Sequence, residues 1–362
     1  MDYGKILKRA WHILWSYRAL WVFGVLVALT TAGGGGGSNP AAQFGGGNNN
    51  NGNHSSSTTG PGEIDRLADF LSAPFLRIAQ DPTLNAFIWI GIFVLLLVLV
   101  FAVVATILRF VSTTSLIRMV DRYEETGEKR GVGAGFRSGW SRAAWRIFLQ
   151  TLLISLPTIL FVVVMILCAG LIALAFANEM ATLGIILTVS AVVLFFLSIL
   201  LIILINIVLG VMLEFFWRAS ALENLGVFAG IRRGFQIIRQ NLKDTVLMWL
   251  ILFGIKIGYT IAMIPVSILL IPVFILLFLV GALIGAVPGL IVVGISSLFT
   301  SGVLVWVLGG IVAAPIAVLV GVSPWILLGG WFETYHSTVW TLAFREMQAK
   351  TVIPVVEVEP AA

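Results

Sequence analysis

Over most of this chain the apolar positions run together instead of alternating with polar ones. Charge-free stretches cover residues 82–108, 147–178, 180–213 and 257–332, which are 27, 32, 34 and 76 residues long. A helix needs about 20 apolar residues to cross the hydrocarbon core of a bilayer. Each stretch is therefore long enough for at least one crossing. Lipid cannot satisfy free backbone N–H and C=O groups, so closed helices are the expected solution. A shorter apolar segment, 19–32, follows Arg18 and reaches spanning length only if its helix starts earlier, near Trp11. The 76-residue run holds either two crossings with a long apolar connection or four tight ones. Pro265, Pro272, Pro288, Pro315 and Pro324 are its break points. The expected fold class is all-α: a polytopic transmembrane helical bundle of about six spans, eight being the alternative. The six would form three hairpins, each with an interfacial amphipathic helix.

The charges sort by side. Nineteen of the 22 basic residues fall in residues 1–18, 109–146, 214–244 and the tail after Phe344. The other connections carry Arg66 and Arg77 beside Glu63, Asp65, Asp69, Asp81 and Glu179. By the positive-inside rule both termini are cytoplasmic, which requires an even number of spans. The expected location is the cytoplasmic (inner) membrane of a prokaryote, as a multi-pass protein. Thr30-Thr31-Ala32 is a weak cleavage site after an 18-residue n-region containing Trp11 and Trp15, so a retained first span is expected over a signal peptide. Four regions follow: 1–32, interfacial helix plus first span; 33–85, an outside loop; 86–346, the transmembrane helical domain; and 347–362, a cytoplasmic tail. The loop opens with a Gly/Asn/Ser-rich tract and continues as an amphipathic helix over 63–80.

A local signature recurs three times before a membrane run, in the order apolar, basic, any, small, aromatic. The copies are Leu7-Lys8-Arg9-Ala10-Trp11, Phe136-Arg137-Ser138-Gly139-Trp140 and Ile231-Arg232-Arg233-Gly234-Phe235. A short helix with basic residues toward anionic headgroups and an aromatic ring at the interface lies flat on a membrane. The small residue lets a neighbouring helix approach closely. Lys8, Ala10, Trp11, Arg137, Gly139, Trp140, Arg232, Gly234 and Phe235 are the candidate interfacial residues. The predicted repeat is one interfacial helix plus one hairpin. The third hairpin would be elongated, with non-spanning apolar material around 281–302. Gly254/Gly258 and Gly281/Gly285 both match the GxxxG spacing of close helix contact.

Lys256 is the one charge with apolar sequence on both sides. It lies 12 residues after Asp244, and Glu333 lies 12 residues before Arg345. In antiparallel neighbouring helices both would sit about 18 Å from the cytoplasmic end, at 1.5 Å per residue. An unpaired charge at that depth costs a few kcal/mol or more. A Lys256–Glu333 pair is therefore expected, with Asn206, Tyr259, Tyr335 and His336 as candidate associates. Such a pair serves either as a helix lock or as part of a proton, ion or anion path.

Composition narrows the function. The chain is 59% hydrophobic and 11% charged, with a mean hydropathy of +1.04. An average soluble domain is roughly 45–50% apolar and about 25% charged. A soluble enzyme, a disordered chain and a disulfide scaffold are excluded; Cys168 is the single cysteine. The net charge of +5 reflects the inside bias, so no nucleic-acid partner is expected. No Walker A, GxGxxG, HExxH, CxxC or GxSxG pattern occurs. The three histidines are scattered at 12, 54 and 336. No enzymatic activity, cofactor or metal site is expected.

The chain resembles a broad prokaryotic group of six-span membrane proteins similar to the membrane domain of glycerophosphoryl diester phosphodiesterases. The likeness rests on KILKRAWHILW within residues 1–29, on FRSGW and IRRGF before later hairpins, and on the ending ETYHSTVWTLAFREM over 333–347. It covers most of the chain. The phosphodiesterase catalytic half has no counterpart, so its activity does not carry over. The expected function is a non-enzymatic membrane scaffold or accessory subunit, acting on anionic lipids of the cytoplasmic face or on a membrane partner protein. The alternative is a transporter or lipid-handling protein with a path near Lys256 and Glu333. Oligomeric state is open.

Overall fold

The structure, a computed structural model, describes residues 1–31, 82–177, 181–298 and 301–352. The loop and tail expected at 33–85 and 347–362 lie largely outside these residues. The described residues form ten helices: α1 (Tyr3–Ser16), α2 (Ala19–Thr30), α3 (Pro82–Thr126), α4 (Val132–Gly139), α5 (Arg142–Ala177), α6 (Ala181–Leu222), α7 (Val227–Gln240), α8 (Leu242–Ser296), α9 (Val303–Gly321) and α10 (Ser323–Val352). Residues 1–41 and 108–362 make one compact unit, and 42–107 make another. Of the second unit the described part is the apolar first half of α3, whose side chains from Leu95 to Val104 are largely exposed.

Among the described residues, five helices or their segments are long and apolar enough to cross a membrane, or six if the bent α1–α2 pair is one span. The protein is thus membrane-embedded. The helix of the first apolar segment starts at Ala19 and does not reach back to Trp11. α1 stops at Ser16, and α2 leaves it at 99°. The Asp2 carboxylate opens α1 by accepting from the Lys5 N–H at 3.0 Å. Tyr17 closes it, its N–H bonded to the Ile13 carbonyl. The Tyr17 hydroxyl donates to the Arg130 carbonyl at 2.9 Å and accepts from the Arg130 N–H at 2.8 Å. The bend is therefore held by a tertiary contact.

The apolar run 257–332 breaks after Ser296 and again at Val322. Pro265, Pro272 and Pro288 lie inside α8, and Pro315 inside α9, so none of them ends a helix. α9 folds back on the distal part of α8. A Cβ at Gly281 would lie 2.8 Å from the Ala317 carbonyl, and one at Gly285 would lie 2.5 Å from that of Ala313. Gly254 and Gly258, with the same spacing, have nothing near them.

The buried core gathers where α1, α2, α7 and the start of α8 meet the C-terminal thirds of α3, α6 and α10. Leu20, Phe23, Leu116, Val120, Phe215, Ala219, Ile237, Met248 and Phe344 are its centre. A smaller cluster joins Phe110, Ile117, Ile147 and Trp217. We call this region the basic end, because most arginines and lysines lie in it.

Candidate functional site

The basic end is built from the three short helices predicted by the repeat. α4 and α7 start alike, on Gly131 and Gly226, each in extended backbone with φ/ψ of −69°/166° and −65°/170°. α1, α4 and α7 then place the repeated residues in the same way. Ala10, Gly139 and Gly234 are buried. Lys8, Arg137 and Arg232 are exposed. The aromatic that follows each small residue is exposed too: Trp11 at 56%, Trp140 at 62% and Phe235 at 49%. One face of each helix thus binds the protein, while a basic side chain and a ring face outward.

The buried face sets what each helix packs on. A Cβ at Gly139 would collide with Ser115 and the Val111 carbonyl of α3. The Ser115 hydroxyl donates to the Gly135 carbonyl at 2.9 Å. A Cβ at Gly234 would lie 2.5 Å from the Phe216 ring of α6. α1 packs on α10, where Trp11 meets Tyr335 edge to face at 6.1 Å. α4 therefore sits on α3, α7 on α6 and α1 on α10.

Three arginines close this arrangement into a ring. On α3, Arg118 donates from Nε to the Ala221 carbonyl of α6 at 3.0 Å and from a terminal nitrogen to Asn224 Oδ1 at 2.8 Å. On α6, Arg218 is 1% exposed and donates to Glu214 Oε2 at 2.6 Å and to the Ser337 carbonyl of α10 at 2.9 Å. On α10, Arg345 donates to the Asp121 carbonyl of α3 at 2.9 Å and pairs with its carboxylate. The links run α3 to α6, α6 to α10 and α10 to α3. A further clasp gathers α1, α8 and α10: Tyr3 donates to one Asp244 oxygen at 2.6 Å, and Lys350 to the other at 2.8 Å. Donation to a carboxylate favours the neutral phenol, and the Tyr3 pKa is pushed up to about 12. Sequence patterning counted these arginines only as inside charges. Their main partners are backbone carbonyls, which leave no mark in a sequence.

The polar cluster expected inside the membrane is distributed over separate places. Lys256 and Glu333 act on each other electrostatically, but no hydrogen bond or ion pair within 4.0 Å joins them. Tyr259 stacks on Phe332 at 4.4 Å, and Phe332 on His336 at 6.2 Å. The Trp340 Nε1–H donates to His336 Nε2 at 3.1 Å. Tyr335 points instead to α1. Asn206 accepts from the Thr158 hydroxyl on α5 at 3.3 Å. Successive helix residues turn by about 100°, so neighbours in sequence such as Tyr335 and His336 serve different faces. Among the described residues no group of three or more His, Cys, Asp or Glu side chains converges as for a metal ion.

Two cavities open at the basic end. One, about 340 Å³, lies among Arg118, Asp121, Arg122, Glu125, Arg130 and Asn224, with both signs of charge. The other, about 580 Å³, lies between α1 and α10 and is lined by Leu7, Lys8, Trp11, His12, Trp15 and Tyr335.

An all-helical, membrane-embedded protein with a clasped basic end is the class these features define. The model of DUF7544, a family of unknown function, matches residues 7–342, and the chain belongs to that family. No curated protein and no solved structure matches it. Nothing ties it to the membrane domain of glycerophosphoryl diester phosphodiesterases, so that likeness stays with the interfacial motifs.

Proposed function

We propose that this protein is a non-enzymatic membrane scaffold or accessory subunit that works through its basic end. In this reading six spans form three hairpins in a prokaryotic cytoplasmic membrane, and both termini and the basic end are cytoplasmic. The partners are anionic lipids of that face, or a membrane protein held against it. The observation that carries the reading is the threefold outward presentation of a basic side chain beside an exposed aromatic ring. A basic residue near an anionic surface contributes about 1 kcal/mol, and Trp at the headgroup level anchors the helix.

The test is mass spectrometry of the protein extracted in native lipid particles, with and without Arg137→Gln and Arg232→Gln. Enrichment of anionic lipid, reduced in the double variant, is the expected result. Bulk-like lipid around both proteins, with no stoichiometric companion protein, would refute the proposal. A second reading, transport or lipid handling along Lys256 and Glu333, draws on the lack of a direct partner for either charge at membrane depth. It requires a bound small molecule or lipid that Lys256→Met removes and the interfacial variants leave in place.

A further inference from the structure

The cavity between α1 and α10 differs from the other cavity of the basic end in having no acidic side chain in its lining. Lys8 and His12 stand one helical turn apart on α1 and border it together. The indole N–H groups of Trp11 and Trp15 and the hydroxyl of Tyr335 belong to the same lining, and no acidic side chain does. Among the described residues, none of these five polar side chains makes a hydrogen bond or ion pair within the protein. Nearby donors are used differently: the Trp21 Nε1–H is spent on the Leu14 carbonyl at 2.7 Å.

The apolar wall of the cavity is stiff. Trp15 packs against Trp11, Trp21 and Trp331 at 5.7–5.9 Å, and Trp21 packs against Trp331 at 5.1 Å. Rings held edge to face between α1 and α2 and tilted against Trp331 of α10 resist collapse into the space. The space, about 580 Å³, is an open groove whose lining includes the exposed Lys8, Trp11, His12 and Trp15, large enough for a headgroup entering from the surface. A lysine and a histidine beside an aromatic wall, where α1 turns into the apolar α2, match an anionic headgroup joined to hydrocarbon.

We infer that this cavity binds the phosphodiester headgroup of one anionic glycerophospholipid. Lys8 and His12 face the phosphate, the Trp11, Trp15 and Tyr335 donors reach its oxygens, and the first acyl carbons lie along the tryptophan wall. This inference rests on the proposed orientation of the basic end and narrows it to one site. The other two short helices lack the equipment: α4 is eight residues long, and neither α4 nor α7 contains a tryptophan.

The experiment uses the full chain in nanodiscs of phosphatidylcholine containing brominated phosphatidylglycerol or, separately, brominated phosphatidylcholine. Bromine quenches indole fluorescence on contact, and a Trp11→Phe/Trp15→Phe variant isolates the signal of the two lining rings. Stronger quenching by the anionic lipid is expected. Lys8→Gln with His12→Gln should lower that preference at least about fivefold, the attraction of one basic side chain near an anionic surface. Arg239→Gln with Lys243→Gln, exposed basic residues outside the repeated set, should leave it unchanged. Equal quenching by both lipids overturns the site. Loss of the preference in the Arg239/Lys243 variant but not in the Lys8/His12 variant also overturns it, while leaving the general lipid reading intact. Competition by soluble glycerol phosphate would show a site for a free phosphate ester and overturn the lipid assignment.

Discussion

The basic end and the α8–α9 hairpin solve helix packing in opposite ways. At the basic end, α3, α6 and α10 are tied by guanidinium groups on neighbouring backbone carbonyls, and short helices are pressed between them. From Ile257 onward the α8–α9 hairpin has no charged residue. It closes on Gly281, Gly285 and Gly289, with Leu283 73% exposed and Val303 79% exposed. In hydrocarbon, apolar side chains gain nothing from facing each other instead of lipid, so close backbone approach must supply the attraction. At the basic end one arginine can serve several carbonyl acceptors at once, at a helix end as with Ala221 or within a helix as with Ser337 and Asp121. The first mechanism is local and tolerant. The second is a closed loop in which each clasp depends on the other two.

Breaking the ring at its most buried clasp gives the largest expected effect. Arg218→Ala leaves the Glu214 carboxylate unpaired in a buried place, and loss of one partner of such a pair costs about 3–5 kcal/mol. Thermal unfolding in detergent should show a large drop in midpoint. Adding Glu214→Gln should restore part of it, and an unaltered midpoint for Arg218→Ala would remove the ring from the account of stability.

Glycine substitutions sharpen the contrast. Gly139→Val drives methyl groups into the α3 backbone at Val111 and should cost about 1–3 kcal/mol of global stability. Gly285→Ala, 2.5 Å from a carbonyl, should instead loosen only the hairpin, seen as faster amide exchange in α9 with the basic end protected. Gly254→Ala and Gly258→Ala meet open space and should be neutral or stabilising by about 0.5–1 kcal/mol. Equal penalties at Gly139 and Gly254 would contradict the packing described.

Double-mutant cycles compare the direct and indirect charge pairs. Arg345 and Asp121, in contact and partly exposed, should couple by about 0.5–1 kcal/mol. Lys256 and Glu333, which do not touch, should couple less, and Lys256→Met should be as damaging alone as with Glu333→Gln. A larger coupling for Lys256 and Glu333 would establish them as a helix lock after all.

The smallest effect is at alkaline pH. The Tyr3 phenol is held neutral by Asp244, its pKa pushed up from 10 to about 12. A raised pKa means the contribution is complete below pH 10 and lost as pH rises through 12. Tyr3→Phe should lower the unfolding midpoint slightly at neutral pH and flatten its decline between pH 10 and 12. An unchanged alkaline slope in the variant would show that Tyr3 carries none of it.

The features that could be read from residue order alone are those set within one or two helical turns. The apolar runs define the crossings, because hydrocarbon demands unbroken helices of a set length. The basic–small–aromatic order defines the short helices and their outward faces, since spacing in a helix fixes which side chains share a face. What the tertiary structure decided is everything that depends on azimuth and partner. Equal spacing from Asp244 and Arg345 put Lys256 and Glu333 at one depth, but in the folded chain they interact without a hydrogen bond or an ion pair. Gly254/Gly258 and Gly281/Gly285 have one spacing and opposite surroundings, because only the second pair meets another helix. The prolines of α8 bear on the same point: their sequence positions marked breaks, yet the helix runs through three of them. Arg118, Arg218 and Arg345 were visible as charges, but their ring depends on backbone carbonyls more than 90 residues away in sequence. Those carbonyls are the same chemical group in every residue, so only their placement in space could single them out.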